Sequence, residues 1–199
     1  MKKFTKPFLL LAALLLTTNI SFGQVGLGVR AGLNMADLVG VNTNAKFKAG
    51  LHIGGYAKFK MGAGSAFQAE LLYSMKGYHF SNSGYSEKQS LGYLDIPLLF
   101  NFGQDQGMHF QVGLQPSILL SAKYKYTITG GSSTTTDTKS AYKGFDLAPV
   151  LGFGYQMDNG LDFGMRFAYG MIPVFAAAGA NKIHNVNLQL TVGYTLAGK

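Results

Sequence analysis

From Gln24 to the C-terminus, apolar and polar residues alternate one by one through stretch after stretch, and the gaps between stretches run long, short, long, short. The last stretch is the clearest. Val186, Leu188, Leu190, Val192, Tyr194 and Leu196 have one parity, and Asn187, Gln189, Thr191, Gly193 and Thr195 the other. Successive side chains on a β-strand point to opposite faces, so this segment has one wholly apolar face and one polar face.

Eight stretches carry the pattern: residues 25–35, 50–60, 66–79, 90–101, 108–126, 144–157, 161–170 and 185–196. Segments 62–65, 103–107 and 158–160 between them are short and turn-like, whereas 37–48, 80–89, 129–143 and 171–184 are long. Short turns on the periplasmic side and longer loops outside are the habit of outer-membrane barrels, and an even strand count puts both chain ends in the periplasm. The expected fold is all-β: an eight-stranded antiparallel up-and-down transmembrane β-barrel, preceded by a cleavable signal peptide.

Residues 1–23 are expected to be that signal. Lys2, Lys3 and Lys6 give a basic start, Phe8 to Leu16 an apolar centre, and Ser21-Phe22-Gly23 small residues at the two positions a signal peptidase inspects. The apolar run ends at Thr17-Thr18-Asn19, well short of the roughly 20 residues a spanning helix needs. Residues 24–199 then form the barrel domain. The chain has no cysteine, hence no lipobox, disulfide framework or thiolate metal site. Removing the leader's three lysines leaves 14 basic against 9 acidic residues, scattered rather than gathered into a nucleic-acid stripe.

The faces can be assigned strand by strand. One parity holds Val25, Leu27, Val29, Ala31 and Leu33, then Leu51 and Ile53, Phe67, Leu71 and Tyr73, Leu94, Leu98 and Phe100, Phe110 to Leu120, and Phe163 to Tyr169, without a charge. The strand charges Arg30, His52, Glu70, Lys76, Asp95, Asp146, Asp162 and Arg166 fall on the other. In a membrane barrel that second face points inward, and an eight-stranded lumen is just wide enough for side chains to fill. Buried ions must pair, so Arg30, Lys76 and Arg166 are expected to meet Glu70, Asp95, Asp146 and Asp162 in an interior ion network that closes the lumen. Glycines 26, 28, 32, 54, 113, 152, 154 and 164 share that face and leave room for it. Tyr56, Tyr73, Tyr93, Phe102, Tyr124, Tyr126, Tyr155, Tyr169 and Tyr194 stand near strand ends, as interfacial girdles would. A soluble lipocalin-like barrel inverts the faces, with the apolar parity around a greasy ligand; sparse charge and the ordered gaps favour the membrane.

Pro97, Pro116 and Pro149 fall inside predicted strands, where a closed barrel offers no free edge. Pro97 should lie near Gly113 and Pro116 roughly opposite Pro149, forming one seam of weakened pairing or bulges.

Tyr93-Leu94-Asp95-Ile96-Pro97-Leu98-Leu99-Phe100, together with Gly-Leu-Gly-Val-Arg-Ala-Gly-Leu-Asn at 26–34, resembles the PorT-like outer-membrane β-barrel family of Bacteroidetes. In that family a Tyr-Leu-acid-Ile-Pro-Leu segment recurs in mid-chain, usually with glutamate where this chain has Asp95. The resemblance covers the mature chain and implies an outer-membrane location and a small barrel, not an activity.

No catalytic constellation stands out. His52, His79, His109 and His184 lack paired ligand spacing, and the serines of 130–136 lie in a low-complexity loop without a partnering base. The reading is a monomeric barrel without catalytic activity or cofactor, in contact with outer-membrane lipid and with an extracellular or periplasmic protein partner as a further expectation. The Thr-rich loop 129–140 and the Ala-rich run 174–179 are its best candidate contact segments, with a spacer role as the favoured alternative for each. A secretion-associated role, a narrow pore and a rim hydrolase are the alternatives.

Overall fold

The computed structural model describes residues 25–40, 46–104, 106–176 and 183–197. These form one antiparallel sheet of ten strands: β1 (Val25–Val39), β2 (Lys46–Gly62), β3 (Ser65–Ser81), β4 (Tyr85–Asp95), β5 (Leu98–Gly103), β6 (Gly107–Ile128), β7 (Ser133–Asp137), β8 (Phe145–Gln156), β9 (Leu161–Tyr169) and β10 (His184–Ala197). β1 pairs with both β2 and β10, and the pairing continues through β3, β6, β8 and β9, so the sheet closes on itself. β4 and β5 lie end to end, each bonded to β3 on one side and β6 on the other. Followed from Arg30 through β2, β3 and β4, the ladder reaches Ser117; followed through β10, β9 and β8 it reaches Gly107. That stagger of ten residues on β6 is the shear of a closed, tilted sheet.

The strands are longer than periodicity alone suggests. β3 and β4 run to Ser81 and from Tyr85, so the long gap expected at 80–89 is a hairpin whose turn is held by Asn82 Oδ1, which accepts from Gly84 N and Tyr85 N. Within 129–143, Ser133–Asp137 adds β7 alongside β6, and a 3-10 turn spans Lys139–Ala141. The expected signal peptide lies outside the described residues.

The single expected strand over 90–101 is two, because Pro97 interrupts it. Pro97 O accepts from Glu70 N, so the nitrogen of this residue faces β3, where it donates nothing. Pro116 O accepts from Ile96 N, so Pro116 turns its own missing donor toward the same breach. One register shift stands nearby, between Gly92 and Tyr93 against β6. The expected seam does not extend to β8. Leu114 stands opposite Pro149 and Pro116 opposite Leu147 in an unbroken β6–β8 ladder. Leu147 O accepts from Met171 N, on the side away from β6, and Pro149 shares that parity, so its lost donor leaves the β6–β8 ladder whole. Pro97 itself lies two residues from the expected level, since Leu99 is what pairs with Gly113.

Gly77 has φ +129°, and a Cβ there would meet the Gln89 carbonyl oxygen across the ladder. Beside it the β2–β3 register shifts between Phe47 and His52. Gly77→Ala should therefore lower stability by about 1–3 kcal/mol. A urea midpoint in detergent micelles equal to that of the parent protein would contradict this.

The sheet carries its apolar residues outside. Leu27, Leu33, Leu51, Ile53, Leu71, Phe110, Leu114, Leu151, Phe153 and Leu196 are all exposed, Leu151 at 63%. Arg30, Asn34, His52, Gln68, Glu70, Asp95, Gln111, Asp162, Arg166 and Gln189 are buried, Arg166 at 1%. The side chains alternate along β1 as buried and exposed from Gly26 to Met35 apart from half-buried Gly32, the period-2 pattern of a sheet with two different solvents.

Candidate functional site: the interior polar cluster and its outer cover

The inward positions of β1, β3 and β9 converge on one carboxylate. Arg166 Nη1 and Nη2 donate to the two oxygens of Glu70 at 2.8 Å each, a bidentate pair, and Arg166 Nε donates to Gln111 Oε1 at 2.7 Å. Arg30 Nη2 donates to Asp162 Oδ1 at 2.7 Å, and its Nη1 lies 3.3 Å from Glu70 Oε1, at ion-pair distance without hydrogen-bond alignment. His109 Nε2 is 3.3 Å from the other Asp162 oxygen. Gln68 donates to Glu70 and accepts from Asn101, which in turn accepts from Gln111 at 2.6 Å. Two guanidiniums and two carboxylates thus balance inside a shell of amides, the arrangement that lets charge persist without water.

A second group sits nearer the long-loop end. Lys76 Nζ donates to Asp95 Oδ1 at 2.9 Å and lies 4.7 Å from the centre of the Tyr93 ring. Asn34 joins this level to β3, donating to Ser74 Oγ at 2.9 Å and accepting from His52 Nδ1 at 2.8 Å. Asp146 departs from the expected ion pairing. Among the described residues it meets no cation; Asn185 Nδ2 donates to it at 2.9 Å and Leu147 N at 2.8 Å. Backbone and amide donors serve a carboxylate as well as a lysine would when the strand end leaves N–H groups free.

Above these polar levels the interior turns apolar. Leu38, Leu91, Tyr93, Leu119, Ala122, Tyr142 and Val174 form one buried cluster, with Tyr78, Phe175 and Ile183 packed against it. The Tyr142 and Phe175 rings lie 5.0 Å apart between centres, tilted by 33°, and the two residues are joined by a β-bridge. Burial pushes the Tyr142 phenol above its ordinary range. The Ala-rich run is thus corrected in part: Val174 and Phe175 fold inward as a cover and are not free contact residues, while 177–179 lie outside the described residues. β7 of the Thr-rich segment is exposed throughout.

The expected girdle also loses four members: Tyr124 and Tyr126 take the face opposite the exposed Lys123 and Lys125, and two more lie deep in the interior. Tyr56 and Tyr93 are buried inside, Tyr56 bonded to Thr195 Oγ1 at 2.9 Å and Tyr93 in the apolar cover. Their parity signals this, since Tyr93 lies two residues from Asp95 and Tyr56 four from His52 on the same face. Lys48, expected in a loop, is buried in β2 and donates to Lys76 O at 3.0 Å. The segment from Tyr93 to Pro97 is explained by architecture: Tyr93 caps the polar interior, Asp95 holds Lys76, and Pro97 ends the ladder. Among the described residues no group of three or more His, Asp or Glu is placed to hold a metal ion, and no helix is long and apolar enough to cross a membrane.

A closed antiparallel sheet with leucines and phenylalanines outside and paired ions inside is a water-soluble barrel turned inside out, the organisation of an integral outer-membrane barrel. Residues 17–176 match the family model described as "Outer membrane protein beta-barrel domain", and the chain belongs to that family. The outer membrane is its location. No curated protein matches it in sequence. Among solved structures, Neisserial surface protein A is 13% identical over 86% of this chain and 97% of its own, with a TM-score of 0.52. The attachment invasion locus protein Ail of Yersinia pestis is 12% identical over the same shares, with a TM-score of 0.46. At 13% identity the likeness to Neisserial surface protein A is one of fold alone.

Proposed function

We propose that the protein is a monomeric, non-enzymatic barrel that crosses the outer membrane eight times, with β4 and β5 counted as one crossing and β7 as part of an outer loop. Its lumen is closed, and its role is structural or interactive, played at the outer rim. The observation that carries this reading is the two-level closure of the interior: the Arg30, Glu70, Asp162 and Arg166 cluster below, and the apolar cover around Tyr93 and Tyr142 above. Ions crossing such a path would have to leave their water at the cover and break a balanced cluster beneath it. The tyrosine, acid and proline of residues 93–97 further support a place among the PorT-like members, and export by an N-terminal signal is part of the same proposal.

Planar bilayers containing the purified protein should show no unitary conductance. Steady open-channel steps would replace the closed barrel with the narrow-pore reading. On gels, the folded protein should migrate differently before and after boiling, as a detergent-resistant barrel does.

A further inference from the structure

At the long-loop end the sheet rises past its apolar exterior, and there the outward face becomes basic. On β6 the exposed residues Ile118 and Leu120 are followed by the exposed Lys123 and Lys125. The ladder sets Lys88 of β4 directly opposite Lys125, and His79 of β3 directly opposite Lys88. Lys88 is exposed and the next residue, Gln89, is buried, so Lys88 points away from the barrel axis. Ser90 and Asp137 flank Lys123 on either side, and Ser86 and Thr127 occupy the row beyond.

Like charges placed directly opposite on a sheet repel, and sequences avoid them unless something answers the charge. Among the described residues none of Lys88, Lys123 and Lys125 forms an ion pair. Glu87 alternates to the opposite face, where its cross-strand neighbour is Tyr126; among the described residues Asp137 stands opposite Lys123, while Lys125 faces Thr135.

Height selects the missing anion. At about 3.3 Å per residue, Lys123 and Lys125 stand roughly 10 and 17 Å along the strand beyond Leu120, less once tilt is allowed for. That places their backbones at and just beyond a headgroup layer about 5–7 Å thick on each side of the hydrocarbon, from which long lysine side chains reach back into it. The outer leaflet of this membrane presents phosphorylated glucosamine, each phosphate a multivalent acceptor for ammonium groups.

We propose that Lys88, Lys123 and Lys125 form a binding site for the phosphates of a lipid A headgroup in the outer leaflet. The site rests on the membrane orientation proposed above, with the long loops outside. Lys88 and Lys125 hold one phosphate between them, Lys123 steers a second, and Ser86, Ser90 and Thr127 supply neutral donors beside them.

The test uses the whole folded protein in non-ionic micelles, titrated by calorimetry with bisphosphorylated lipid A, monophosphoryl lipid A and phosphatidylglycerol. K88Q/K123Q/K125Q should weaken bisphosphorylated lipid A by about fivefold per lysine, roughly a hundredfold in all. K125Q alone should show its share, and K139Q, exposed at the same end but off the row, should bind as the parent does. Affinity should fall from the bisphosphorylated to the monophosphorylated lipid. Unchanged affinity in the triple variant, or phosphatidylglycerol bound as tightly as lipid A, overturns the site. Heat-dependent migration of the same samples reports on the barrel independently, so a parent protein that keeps its gel shift but binds no lipid A counts against the site and not the barrel.

Discussion

Glu70→Gln should destabilise the folded barrel by about 3–5 kcal/mol, the cost of leaving buried charge without its partner. Glu70 takes both terminal nitrogens of Arg166 and lies 3.3 Å from Arg30. Without its charge, two guanidiniums face Asp162 alone in a site nearly sealed from water. Adding Arg166→Met to Glu70→Gln rebalances the interior and should restore much of the loss, although each change alone is harmful. A urea double-mutant cycle in micelles measures the coupling. If the two losses simply add, the four residues do not act as one electrostatic unit.

Leu151→Arg should cost about 2–4 kcal/mol in a bilayer. Leu151 is 63% exposed on β8, opposite Val112 of β6 and Phe167 of β9, well within the apolar exterior. On a water-facing sheet, a surface leucine this exposed accepts arginine within about 0.5 kcal/mol. The same substitution therefore reads out which solvent touches the outer face. Unfolding of parent and variant from phosphatidylcholine vesicles distinguishes the two, and equal stability would mean that no hydrocarbon contacts β8.

Strand parity was the most legible property of this chain. A one-residue slip would carry every side chain to the wrong face, so alternation over ten or more residues tolerates almost no error. Arg30, Glu70, Asp162 and Arg166 could be placed on one face for that reason. Tyr56 and Tyr93 carried the same signal, but their aromatic character suggested an interface and obscured their parity. Pro97 marked a real interruption. The regular ladder past Pro116 and Pro149 depends on which neighbour each nitrogen faces, and that requires the register of three adjacent strands.

Asp146 shows a different limit. Its charge and inward face were readable, but its partners, Asn185 and the Leu147 N–H, come from a distant strand and from the local backbone. Val174 and Phe175 had no period to betray them. They lie between strands, and their burial depends on Tyr142, more than thirty residues away, being brought beneath them.

Local chemistry along the chain was enough to establish an antiparallel sheet with a charged face and an apolar face, because a strand's two-residue period is set by its own backbone. Which arginine grips which carboxylate, what seals the outer mouth, and where lysines confront one another depended on closure. Joining β1 to β10 with a ten-residue stagger sets the relative height of every strand, and residues far apart in the chain become neighbours only once that height is set.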